Sequence, residues 1–155
     1  MLFPIYLCFF LTTDIDNLMA FMLSLFYRTG VLDMYNIVFY ETASGYSDIR
    51  TFLDSLRKKA GYVKDARIQF SQLARYIQLL QDNGINLPAG VIKHIDEDLW
   101  ELRPGINRVF FFCHKGDTYV LLHHFRKKTQ KTPIREIIQA KAERDDYISR
   151  NGGKK

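Results

Sequence analysis

The chain has 155 residues but only two cysteines, Cys8 and Cys113, and these form neither a disulfide framework nor a CxxC pair. That excludes a disulfide scaffold and thiol-pair redox chemistry; Cys113, set in an apolar run, reads as a small core residue in a protein of the reducing cytoplasm. Histidine is sparse too, with four residues. His94, His114, His123 and His124 lack the spacing of a zinc site and have no cysteine partners suited to one, so no metal and no cofactor is expected. The GxSxG elbow, the glycine-rich phosphate loop and HExxH are all missing, which removes the reaction classes those motifs support. Apolar runs long enough to span a bilayer are missing too. Leu2–Leu11 is too short, and Asp14 and Asp16 interrupt the sequence before Leu18–Tyr27 resumes, so no stable membrane association is expected.

Acidic residues run short along one stretch in particular: none occurs between His123 and Arg135, where Arg126, Lys127, Lys128 and Lys131 fall. Residues 1–33 hold Arg28 against Asp14, Asp16 and Asp33, a net of −2, so the formal +5 of the chain becomes +7 over residues 34–155. A small basic domain of this kind meets nucleic acid, an anionic membrane surface or an acidic protein. Residues 1–33 also lack the positive leader and small-residue cleavage site of a secretory signal. They read as an upstream extension from a misassigned start codon, with a weak membrane-associated segment as the alternative. Met34 then opens a conventional domain over 34–150, followed by a flexible tail at 151–155.

Within that domain the periodicities predict an α+β fold. Arg108–His114 and Thr118–Phe125 are nearly continuous apolar runs joined by Lys115-Gly116-Asp117, the mark of a hairpin at the centre of a sheet with both faces covered. Leu99–Arg103 alternates ahead of Pro104-Gly105, giving a further strand with Glu101 and Arg103 on one face. Tyr35–Tyr40 is a strand candidate, and Val91–Ile95 fits either a short strand or a helical turn. A helix capped by Ser44 carries the stripe Ile49, Phe52, Leu53 and Leu56; a second, from about Asp65 to Gln81 with Leu73, Ile77 and Leu80 on one face, stops at Asn83-Gly84. Thr132-Pro133 opens a last helix, the Thr132 hydroxyl as its N-cap and proline at its first position, with Ile134, Ile137 and Ile138 on its apolar side. The expected architecture is an antiparallel-rich sheet of three to four strands with an N-terminal helical hairpin and a C-terminal helix.

The basic run after Phe125 has a plain reading as a solvated edge that keeps a sheet from pairing with its neighbours. Its position favours an anion site instead, because it follows a central strand directly and comes just after His123 and His124. Alternation puts one of these histidines on each face. Arg108 reads either as a strand-end charge or as part of that site, and Trp100 reads as core rather than as a base-stacking platform.

LWELRPGINRVFFFCHKGDTYVLLHHFRKKTQKTPIREIIQAKAERDDY resembles the toxins of bacterial type II toxin–antitoxin pairs, the RelE/ParE superfamily, in its HigB-like, phage-derived branch. The telling pieces are Trp100-Glu101-Leu102-Arg103, Arg108 opening the aromatic strand, and Leu121–Pro133. The resemblance implies a RelE-like fold and a metal-independent endoribonuclease that cuts messenger RNA on the ribosome. It also implies silencing by a cognate antitoxin, of the helix-turn-helix kind, through which alone the toxin meets operator DNA. Carried over by motif, Arg103 and Arg108 clamp phosphate, Arg126, Lys127 and Lys128 form a cationic shelf, and Lys131 makes an outer contact. The tyrosine that RelE-type enzymes use falls near Ile137, and Tyr147 is too far along to replace it, so His124 or His123 is the candidate for proton transfer. The catalytic set expected is thus Arg103, Arg108, His124 and Lys127, with Arg126, Lys128, Lys131 and His123 on RNA. Two other functions fit: a non-enzymatic ParE-like gyrase poison, and an adaptor that docks on RNA without turnover.

Overall fold

The structure, a computed structural model, describes residues 34–152. The expected N-terminal extension 1–33 and positions 153–155 of the expected tail lie outside the described residues. The two apolar runs become β4 (Asn107–His114) and β5 (Thr118–Arg126), an antiparallel hairpin. Its turn is tight because Lys115 and Gly116 take left-handed φ values of 55° and 84°. Beyond β4 lie β3 (Leu99–Leu102) and then β2 (Ile92–Asp96), both antiparallel. On the far side of β5 the chain's first strand, β1 (Asn36–Phe39), runs parallel to it. The sheet therefore has five strands in the order β1-β5-β4-β3-β2, against the three to four expected. The difference arises because Val91–Ile95 resolves as strand and Tyr35–Tyr40 adds a parallel edge.

A helical hairpin, α1 (Asp48–Ala60) and α2 (Lys64–Asn83), covers one face; α3 (Ile134–Asn151) covers the other. The stripes read from the sequence do pack: Ile49, Leu73 and Leu80 are fully buried against Val109, Phe111 and Leu121, with Phe52, Leu53 and Ile77 beside them. Helix α2 ends at Gly84, whose φ of 57° and close approach to Tyr119, 2.6 Å from where a Cβ would stand, both require glycine. Helix α1 starts at Asp48 rather than behind Ser44, whose hydroxyl is spent on Thr42 at 2.9 Å. On the opposite face Phe110, Phe112, Val120 and Leu122 pack under Ala140, Ile137 and Tyr147. The apolar side expected for α3 is therefore rotated, leaving Ile134 and Ile138 exposed at 75% and 63%.

The hairpin has one irregularity that decides where the histidines go. Val109 pairs with His124 whereas Phe111 pairs with Leu121, so β5 carries an extra residue there, a β-bulge. His124 consequently shares the α1 face with Leu121, while His123 lies on the α3 face beside Phe110. The two histidines do lie on opposite faces, as alternation implied. Among the described residues no helix is long and apolar enough to cross a membrane.

Candidate functional site

The end of β3, the start of β4 and the end of β5 meet at one end of the sheet, and there the chain buries a carboxylate. Glu101 is 1% exposed. Its Oε1 accepts from Arg103 Nε at 3.1 Å and lies 3.4 Å from Arg108 Nε, an ion contact without hydrogen-bond alignment, while its Oε2 accepts from the Thr132 hydroxyl at 2.9 Å. Arg108 also donates through Nη1 to the carbonyls of Gly105 and Asn107, at 2.8 and 2.6 Å, and Arg103 donates to the Ala89 carbonyl at 3.1 Å. Burial lowers the Arg108 pKa while Glu101 opposes the shift, and a guanidinium stays charged throughout. The structure thus brings Arg103 and Arg108 together, but around an internal carboxylate that partly neutralises both. Thr132, expected to cap α3, instead ties the basic loop to Glu101; a buried carboxylate binds a hydroxyl more strongly than helix-end amides that water can reach.

His123 is 2% exposed and lies between two carboxylates of α3, with Nδ1 2.8 Å from Glu143 and Nε2 3.4 Å from Glu136. The expectation that it touches RNA is corrected by that burial: its ring fastens α3 to the sheet. His124 differs. Its Nδ1 lies 2.6 Å from Asp48 Oδ2, its backbone N–H donates to the same oxygen at 2.8 Å, and its ring stacks on Phe52 at 3.6 Å and 9°. Burial alone would raise the Asp48 pKa, but the side-chain and backbone hydrogen bonds from His124, together with the nearby imidazoles of His124 and His123, hold the carboxyl below the ordinary aspartate value.

Beyond β5 the shelf is open. Arg126, Lys128 and Lys131 are exposed and Lys127 is half-buried, its backbone N–H donating to Ile106 at 2.9 Å. No carboxylate among the described residues pairs with any of these four side chains, in contrast to Arg135, which is held by Glu136 at 2.9 Å. Phe125, Arg126, Lys128, Thr129, Pro133, Arg135 and Glu136 line a recess of about 370 Å³ beside the shelf. Among the described residues no group of three or more His, Cys, Asp or Glu side chains is arranged to hold a metal ion. Sequence reading missed Glu101 as the node of the arginine pair, although LWELR put it on Arg103's face. It missed Asp48 altogether, since nothing local links it to a histidine 76 residues away.

Among the described residues the chain is thus a five-stranded α+β domain with unpaired cations crowded at one strand end. The sequence model of phage-derived protein Gp49-like (DUF891) matches residues 52–145, and the chain belongs to that family, a member of the RelE/ParE-like toxin superfamily. No curated protein matches the chain.

Proposed function

We propose that the protein is the HigB-like toxin of a type II toxin–antitoxin pair, a cytoplasmic, ribosome-dependent endoribonuclease whose working domain is residues 34–150. The observation that carries this reading is the shelf of Arg126, Lys127, Lys128 and Lys131, cationic and without internal carboxylate partners among the described residues. In the proposed reaction the ribose 2′-OH of a message attacks its own 3′ phosphate. The P–O5′ bond breaks, a 2′,3′-cyclic phosphate forms, and the 5′ oxygen takes up a proton. Negative charge grows on the equatorial phosphate oxygens along the way, so fixed cations lower the barrier without a metal. Lys127 and Lys128 supply charge at the phosphate, Arg126 and Lys131 guide the strand, and Arg103 and Arg108 add a field set by Glu101. His124 moves the proton. A cognate antitoxin, of the helix-turn-helix kind, is the partner such a toxin requires, and it is the route to operator DNA.

The test is to induce the protein in a bacterial host and map transcript ends. Cuts phased to codons in translated messages are expected. Intact messages with trapped gyrase–DNA breaks would establish a poison of the ParE type instead, and RNA retention with neither effect would leave an adaptor.

A further inference from the structure

We propose that Asp48 is the positioning residue for His124, holding its ring with Nδ1 protonated and Nε2 as the open, proton-accepting atom. This inference rests on the endoribonuclease reading for its chemical use, but its geometry is independent of it. A carboxylate has no proton to give at neutral pH, so the 2.6 Å contact between Nδ1 and Asp48 Oδ2 places the proton on Nδ1. The backbone N–H of His124 donates to the same oxygen, fixing the carboxylate as well as the ring. Phe52, one helical turn beyond Asp48, stacks on the imidazole at 3.6 Å and stops it rotating about its long axis. One turn of α1 therefore presents an acceptor and a flat wall to a histidine of β5.

Nε2 has no hydrogen-bond partner among the described residues, and the side chain keeps 24% of its surface exposed. Arg126, two residues on along the same strand face, starts the shelf. Among the described residues the charged group in contact with this ring is Asp48 from α1, with His123 acting on Asp48 through space; the cross-strand neighbour Val109 is apolar. A carboxylate whose only task was to pin the start of α1 would have no need to set the tautomer of a side chain open to solvent.

Long-range ¹H–¹⁵N spectra of the full chain, taken where the ring is neutral, read the tautomer directly. The wild type and Asp48→Asn are expected to show Nδ1 protonated and Nε2 bare, because the backbone N–H of His124 keeps the asparagine oxygen turned toward the ring. Asp48→Ala is expected to show a mixture of tautomers and to lose about tenfold or more in turnover on ribosomes at unchanged ribosome affinity, with Asp48→Asn recovering most of that loss. A wild-type ring with bare Nδ1 overturns the inference, even if Asp48→Ala does not fold. So does a folded Asp48→Ala that keeps the wild-type tautomer, or the full turnover of a cutting wild type. A wild type that cuts no message sinks the endoribonuclease reading alone, and the spectra still decide the role of Asp48.

Discussion

Single side chains divide into those that hold the site and those left open to act. Glu101 belongs to the first group: it is buried, with the Arg108 side chain 11% exposed against it, so changing Glu101 to Gln leaves a buried guanidinium without its counter-charge. Breaking such a pair costs about 3–5 kcal/mol, and Glu101→Gln is expected to lower the urea midpoint accordingly; an unchanged midpoint would contradict the node assigned to Glu101. Arg108→Ala carries the same structural cost and is a poor probe of chemistry. Lys127 is the better probe, because its ammonium has no ion pair to lose among the described residues. Lys127→Ala is expected to leave stability within about 0.5 kcal/mol and to cut turnover roughly a hundred- to thousandfold, as loss of one transition-state donor does. Arg135→Ala, on a side chain 85% exposed and already paired, controls for lost charge. Equal effects of the two substitutions would reduce the shelf to a landing surface. At this scale alternation in LWELR made the shared face of Glu101 and Arg103 legible, but not their pairing or the burial of Glu101, since a carboxylate in a sequence reads by default as solvated.

Helix α3 shows why hydrophobic counting misplaces an element. Of its residues only Ala140 is fully buried, and polar clips set its rotation: His123 to Glu136 and Glu143, Arg144 to Asp98 and Glu97, and Tyr40 to Asp146. Counting isoleucines chose the side of Ile134 and Ile138; the clips, made to segments distant in sequence, chose the side of Ala140 and Tyr147. The Tyr40 clip gives a pH test. Burial and the hydrogen bond to Asp146 push its phenol up to about 12, above the ordinary value of 10.0. The folded state therefore keeps a proton that the unfolded chain releases between those values. The contribution is complete below pH 10 and is lost as pH rises from 10 toward 12. Tyr40→Phe, lacking that proton, is expected to show a shallower fall in the urea midpoint over this window than the wild type, and parallel curves would show that the Asp146 contact carries no such linkage.

For the molecule as a whole, what the sequence made legible was local: the β4–β5 hairpin, the stripes of α1 and α2, and the gap in acidic residues after β5. What it hid was every pairing between distant segments, such as β1 lying parallel to β5 and Asp48 meeting His124, because no periodicity within a segment encodes its partner. Charge distribution is a property of the whole chain that composition does report. Residues 34–155 carry +7, and four of those cations stand together on the shelf without carboxylates among the described residues. An antitoxin that silences the proposed site has to bring acidic side chains to that shelf, and the same field then draws it in from solution. Charges farther apart than about 8 Å are largely screened at physiological ionic strength, so this attraction acts mainly on the encounter rate. Stopped-flow association with the cognate antitoxin is expected to slow by about tenfold or more between low and high salt, with dissociation changing less. Replacing Arg126 and Lys128, which lie outside the ion pairs among the described residues, should flatten that dependence. An association rate indifferent to salt in the unaltered protein would mean that the antitoxin docks elsewhere and that the shelf is left uncovered in the complex.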